Sequence, residues 1–463
     1  MAEAQTLALA ALHFSQFFRL QKGHVLCIKA FMKIRFSLSS AFKALTAVAI
    51  CSLFVFHAGR RVDGKPKETW KDAYWVWAGE SPAVAALTPP LIYADVSGRQ
   101  WPKELPKASE YMLVFRIEPG TPLDSAQVQN LTRTFERIVA EASPARIVGL
   151  QIDYDSPTGK LRAYARFLAL LRGGLPSGTR LSITALLDWF TPRTSIADVL
   201  ESVDEFVPQF YDVGPSTGFD GIAAPIDADK WADVFNSYRT PYRIGIATFG
   251  RISRRRSSGS GENRIRFFRD ASALDFAMRA DLPRTVETTP AGEVRVRYGI
   301  RQAIPDEPEL QPGDTVEITF PSIASVRDAY QAARRFDGFC AGVVFFRWPT
   351  QTETVTLAPD DVQRIVSGEL QGNAQEVEAR DGVCLERLCA DLYLRAGATL
   401  YSEQRTIRVS AENPPELFLS QGPLYPRLRN SQLIVDVPPF AGLGPIPLGR
   451  VISSAPLHFE VAQ

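Results

Sequence analysis

From residue 73 onward the chain alternates between short apolar runs and longer amphipathic segments. The runs fall at 74–78, 91–96, 111–117, 147–154, 181–189, 205–211, 243–248 and 341–348. Each has the length of a strand buried on both faces, where apolar residues continue without strict alternation. Between many of them, apolar residues recur at helical spacing. Segment 124–141 is the clearest, with Val128, Leu131, Phe135, Ile138 and Val139 on one face and Asp124 where an N-cap belongs. Segments 161–171 and 323–335 read the same way, and 359–366 supplies the last helix. Eight strands, mostly followed by helices, predict an α/β fold, a (β/α)8 TIM barrel over residues 73–370. No Gly-rich dinucleotide fingerprint or phosphate loop follows any run, which argues against a doubly wound sheet.

The alternation breaks after the seventh run. Residues 251–261 are rich in Arg, Ser and Gly, as a loop would be, and 293–304 and 315–320 then read as strands beside Pro-Asp-Glu-Pro and Pro-Gly-Asp turns. This predicts a β-rich insertion at 251–321, after strand 7 and on the loop side of the barrel. Past a linker at 367–378, runs at 406–410, 416–419, 433–437 and 457–461 are separated by Pro and Gly. They predict a small C-terminal β domain, sandwich-like, over 375–463.

Residues 1–58 read as a leader. Lys33, Arg35 and Lys43 precede an apolar run at 44–56. That run matches a signal-peptide h-region of about 7–15 residues and falls short of a membrane span of about 20. Met32 reads as the start, with 1–31 as an upstream extension. The expectation is export, either to the periplasm or with attachment to the membrane through the leader, facing outward.

Charge changes the picture mainly by exclusion. A net charge of +1 gives no footprint for nucleic acid. The four histidines, His13, His24, His57 and His458, leave the whole body without an imidazole. That excludes Ser-His-Asp and Cys-His nucleophilic sites and argues against zinc, so neither metal nor cofactor is expected. Chemistry falls to carboxylates, Tyr, Lys and Arg. Cys27 and Cys51 lie in the leader, and Cys340 opens an apolar run as a small core residue would. Cys384 and Cys389, five residues apart, suit a short disulfide loop in an oxidising compartment.

A TIM barrel keeps its site where the strands end. Those ends hold Trp77, Asp95, Arg116 with Glu118, Asp153 with Asp155, Asp188 with Trp189, Tyr211 with Asp212, and Arg347 with Trp348. Asp153 and Asp155 share a strand face, roughly 6–7 Å apart along the chain. Acids in that position are expensive to bury and unnecessary for folding. Acid–base chemistry on a sugar, or binding of one, asks for them, and aromatic faces stack on sugar rings. Each residue also has a structural reading. Asp155 suits an N-cap before Ser-Pro-Thr-Gly, Arg116 and Glu118 suit a mutual pair, and a strand-end Trp suits rim packing.

Gly-Leu-Gln-Ile-Asp-Tyr-Asp at 149–155 resembles the strand-four motif of family 18 chitinases, Asp-x-x-Asp-x-Asp-x-Glu. Val148 and Gln151 stand for its first two acids, Asp153 matches the third, and Asp155 replaces the Glu. Gln-Phe-Tyr-Asp at 209–212 is similar to that family's Tyr-Asp pair, and Gly-Val-Val-Phe-Phe-Arg-Trp at 342–348 to its last strand. More closely, the body at 73–370 resembles an uncharacterised bacterial family with a glycosidase-like barrel. The chitinase resemblance implies a carbohydrate substrate whose own acetamide is the nucleophile. It implies that Asp153, Tyr211 and Asp212 hold that acetamide, that Asp155 is the acid, and that Trp348 lies under the sugar. Asp155 is one methylene shorter than the family's Glu. Three readings therefore stay open: a glycoside hydrolase-like enzyme on a polysaccharide or amino-sugar glycan, a non-catalytic glycan-binding or envelope-assembly protein, and a structural barrel.

Overall fold

The computed structural model describes residues 69–462, except 78–80, 97–98, 213–220, 257–281, 306–307, 352, 354 and short segments beyond 370. The leader, with Cys27 and Cys51, lies outside the described residues, as do residues 257–261 of the segment expected as a loop; its first five residues, Arg251–Arg255, form a strand instead.

Seven parallel strands come first: β1 (Ala73–Val76), β2 (Leu91–Asp95), β3 (Glu110–Arg116), β4 (Ile147–Asp153), β5 (Arg180–Ala185), β6 (Glu205–Pro208) and β7 (Tyr242–Ala247). Four more, β8 (Arg251–Arg255), β9 (Arg284–Thr288), β10 (Val294–Gly299) and β11 (Thr315–Phe320), form a separate antiparallel sheet in the order β8-β11-β10-β9. Then β12 (Cys340–Trp348) pairs with both β7 and β1 and closes the barrel. The fold is thus an α/β TIM-type barrel of eight strands, with a β insertion between its last two. Among the described residues beyond 375, ten short strands make antiparallel sheets of four, two and four. Cys384 and Cys389 are disulfide-bonded there, and Cys340 is a free, buried thiol.

Helices Ser125–Glu141, Leu161–Gly174, Ile196–Leu200 and Ala228–Asn236 follow β3 to β6, and Ile323–Arg334 and Pro359–Val366 flank β12. Among the described residues none falls between β1 and β3. Asp124 caps the first, accepting from the Gln127 amide at 2.9 Å. A capping box between Ser322 and Ser325 starts Ile323–Arg334.

Strand residues divide between two faces, as a period of two requires. One set (Tyr74, Ile92, Leu113, Ile152, Ile183 and Phe345 among them) packs outward under the helices. The other fills the lumen with Trp75, Leu91, Tyr93, Met112, Val114, Val207 and Val344. The run at 181–189 does not stay a strand: β5 ends at Ala185, and Leu187–Phe190 coils into a 3-10 turn. A continuous apolar run does not by itself distinguish the two.

At the N-terminal end of the lumen lies a fully buried carboxylate, Glu205. It accepts from Arg243 Nε at 2.9 Å, Arg180 Nη2 at 3.1 Å and Ser182 Oγ at 3.3 Å, and from the Tyr93 hydroxyl. Tyr93 is on β2 and Glu205 on β6, which stand opposite each other around the ring. Burial pushes the Glu205 carboxyl upward, but Arg243, Arg180 and the Tyr93 hydroxyl outweigh it and hold it below the usual range. Arg243 also donates to the Lys71 and Ala341 carbonyls, at 2.6 and 2.8 Å. The backbone approaches so closely here that a Cβ on Gly342 would lie 2.0 Å from the Lys71 carbonyl oxygen.

Glu205→Gln removes the charge that neutralises Arg243, a side chain only 1% exposed. A buried pair broken on one side costs about 3–5 kcal/mol. Denaturant unfolding of the variant should show a loss of that order; a loss below about 1 kcal/mol, the range of an exposed pair, would contradict this account of the lumen.

Candidate functional site

At the opposite end of the lumen the strand ends gather a different set of groups. Asp153 closes β4 and sits in register with Arg116, the last residue of β3. Thr184, one residue from the end of β5, donates to its Oδ1 at 2.9 Å. Burial raises the Asp153 carboxyl from 3.8 to about 6; the Thr184 bond and Arg116 oppose the rise, while Asp155 and Asp95 add to it. Asp95, which ends β2, is itself buried. Asp155 stands on the exposed rim, its carboxyl raised by partial burial, with Arg116 opposing and Glu118 and Asp188 assisting. The 3-10 turn Thr158–Lys160 and the helix Leu161–Gly174 that follow have Pro157 and Lys160 at their N-cap positions, without side-chain hydrogen bonds, so Asp155 is not their N-cap.

Tyr211 follows β6 and is buried, and its hydroxyl has no hydrogen-bond partner among the described residues. Burial, with Asp153 and Asp155 as negative neighbours, raises its pKa well above the ordinary phenol value. Its ring stacks on Phe346, with centroids 4.7 Å apart and planes 14° apart, and meets the edge of Phe249 at 6.2 Å. Gly245 makes room for it: a Cβ there would lie 3.0 Å from the tyrosine ring. Trp77 completes the aromatic floor, edge-on to Phe346 at 6.3 Å. Two guanidiniums lie over its ring, Arg116 at 5.7 Å and Arg347 at 5.6 Å from the centroid.

Other expected residues are placed differently. Trp189 is fully buried, donating to the Ser156 carbonyl at 2.9 Å and packing edge-on to Tyr164. The 3-10 turn after β5 folds it under the helical layer, so it is no sugar platform. Trp348 is also buried outside the lumen, donating to the Ala83 carbonyl at 2.9 Å against Tyr74. Phe346, two residues earlier, is the aromatic that β12 turns inward. Asp212 has a left-handed backbone (φ +51°), which turns the chain out of the strand direction, and its exposed carboxylate is ion-paired with Arg251 of β8. That groups it with the insertion sheet instead of with Asp153. Asp188 is exposed and accepts from Thr158 Oγ1 at 2.9 Å. Glu118 is exposed and pairs with Arg116 at 3.1 Å.

Three contributors escape a reading confined to strand ends. Thr184 left a trace, since Ser182 and Thr184 alternate with Leu181 and Ile183, as inward polar groups on a strand do. Phe346 sits inside a continuous apolar run, where facing is not legible. Glu293 belongs to the insertion and accepts from the amides of Ile222 and Ala223, at 3.2 and 3.1 Å. Ala223 bridges Tyr211, so the insertion steadies the tyrosine from behind.

Residues 110–266 match the model of a family described as Domain of unknown function (DUF3142). No curated protein matches the chain. Among solved structures the chain is similar to the spore cortex-lytic enzyme SleL of Bacillus cereus, at 15% identity and a TM-score of 0.39, covering 65% of this chain and 74% of that one. It is similar to the Group IV chitinase of Ostrinia furnacalis at 12% identity and a TM-score of 0.41, covering 64% of this chain and 100% of that one. The GH18 chitinase ChiB from the chitin utilization locus of Flavobacterium johnsoniae aligns at 10% identity and a TM-score of 0.35, over 66% and 95% of the two chains.

The raised Asp153 carboxyl makes stability fall as pH rises. Near pH 4 and below, folded and unfolded chains both hold the proton; between about 4 and 6 only the folded chain does; above 6 the folded chain bears the half-buried charge. Asp153→Asn should therefore be more stable than wild type at pH 7, by up to about 3 kcal/mol. The advantage should vanish near pH 4. Urea unfolding at both pH values checks this, and an advantage that did not change with pH would contradict it.

Proposed function

We propose that this chain is an exported glycoside hydrolase-like barrel that acts on an N-acetylated amino-sugar glycan through Asp155, Asp153 and Tyr211. The observation that carries the reading is the buried Tyr211 hydroxyl, without a partner among the described residues, beside two carboxylates with raised pKa. A buried hydroxyl without a partner is costly in a folding device, and a bound acetamide carbonyl would supply the missing acceptor. Asp155, on the rim and closer to solvent, protonates the glycosidic oxygen. The acetamide oxygen attacks the anomeric carbon as the leaving oxygen departs. Asp153, deeper in the lumen, accepts the acetamide N–H and keeps the group oriented, while Thr184 holds its other oxygen. Trp77 and Phe346 form the apolar floor, and Asp95, Arg116, Glu118 and Asp188 stand within reach of sugar hydroxyls at the mouth.

Glycan binding without cleavage is the second reading. It is favoured by the short acid at Asp155 and by the guanidiniums that already lie over Trp77.

Turnover of soluble N-acetylglucosamine oligomers and of peptidoglycan strands separates the two. The enzyme reading expects wild-type hydrolysis, with Asp155→Asn and Asp153→Asn each losing about 10²–10⁴-fold in kcat while retaining binding. Wild type that binds these sugars and cleaves none of them would sink it in favour of the second reading.

A further inference from the structure

The β insertion and the turn that leads into it grip the segment carrying Tyr211 at three points. Phe249, just before β8, sets its ring edge against the Tyr211 ring at 6.2 Å. Arg251, the first residue of β8, is ion-paired with Asp212. The third point is Glu293, which closes the turn between β9 and β10 and is only 1% exposed. Its Oε2 accepts from the Ile222 amide at 3.2 Å and its Oε1 from the Ala223 amide at 3.1 Å. Those two residues lie beside the tyrosine as a short antiparallel pair. The Asp212 amide donates to the Ile222 carbonyl at 2.9 Å, and the Ala224 amide to the Phe210 carbonyl at 2.8 Å.

The carboxylate is held from behind and has no slack in front. Thr289 Oγ1 donates to Glu293 Oε2 at 3.1 Å and accepts from the Glu293 amide at 3.1 Å. The Gly292 carbonyl accepts from Ser322 Oγ at 2.6 Å, and Ser322 belongs to the capping box of helix Ile323–Arg334. A line of bonds therefore runs from that helix through the turn to the Tyr211 segment. On the other side, a Cβ on Gly221 would lie 2.8 Å from Glu293 Oε2. Two backbone amides can be satisfied by a neighbouring strand at less cost than by a buried carboxylate. What the carboxylate adds is a fixed, charge-assisted grip on both amides at once. The gripped segment packs around the tyrosine: Ile222 and Tyr211 share a small cluster with Ala247 and Phe249, apart from the main core.

We propose that Glu293 is a positioning residue that sets Tyr211 against its ligand, so that the insertion governs how tightly the cleft holds an amino sugar; this rests on the role given to Tyr211 above. The test uses NMR of the full chain, isotope-labelled at its tyrosine rings, with Tyr211→Phe to assign the Tyr211 signal. Glu293→Gln turns an NH2 group toward a backbone amide that needs an acceptor. Gly221→Ala pushes the carboxylate off its amides without changing any charge. Both variants should move the Tyr211 signal and leave those of Tyr93 and Tyr242, buried elsewhere in the barrel, in their wild-type positions. Each should also weaken binding of N-acetylglucosamine oligomers about tenfold. In a chain already carrying Tyr211→Phe, Glu293→Gln should cost little further affinity. A Tyr211 signal unmoved in either variant, or one that shifts only together with all the other tyrosines, overturns the proposal. So does an undiminished loss of affinity from Glu293→Gln in the Tyr211→Phe background. Wild type that binds none of these sugars counts against the function proposed above, while the Tyr211 signal still decides the role of Glu293.

Discussion

The barrel is organised around the charge on Glu205. A carboxylate sealed from water at the start of β6 is tolerable only with strong partners, and here they come from β2, β5 and β7. Those partners tie opposite sides of the ring together. Arg243 extends the tie to the backbone entering β1 and to β12, where the barrel closes. The N-terminal half of the lumen is thereby committed to stability, in keeping with the division of labour usual in this fold.

The C-terminal half holds a second inward carboxylate under opposite terms. Among the described residues Asp153 faces no buried guanidinium comparable to Arg243. Arg116, the cation beside it, lies largely on the surface and is shared with Glu118. One barrel therefore contains an acid held ionised below its usual range and another held protonated well above it. The difference lies in what each strand brings opposite: Arg243 and Arg180 in one case, the neutral Thr184 hydroxyl in the other. A group that takes up and releases its proton near pH 6 beside an unpartnered phenol is suited to handling a proton for a ligand.

Much of the architecture was legible in the residues. Strands buried on both faces appear as continuous apolar runs, and all eight barrel strands arose from such runs. The same continuity hid the direction of individual side chains. In 341–348 nothing local says that Phe346 enters the lumen and Trp348 leaves it, because both faces of β12 are apolar. In 181–189 the run passes from strand to 3-10 turn without a polar marker, so Trp189 appeared to stand at a strand end and instead packs beneath the helices. Glu205 and Arg243 are the first residues of the runs at 205–211 and 243–248, and only closure of the ring brings them together. The Glu293 latch was beyond local reading, since its partners Ile222 and Ala223 lie about seventy residues earlier.

The central claim is that Asp153 is a half-buried, proton-holding group in a cleft shaped for an amino sugar. Its carboxyl carbon can be followed by NMR in protein labelled at aspartate, with Asp153→Asn used to assign the resonance. The account predicts a midpoint of about 6 that moves when an N-acetylglucosamine oligomer is added. A midpoint in the ordinary carboxylate range near 4, indifferent to the sugar, would contradict it.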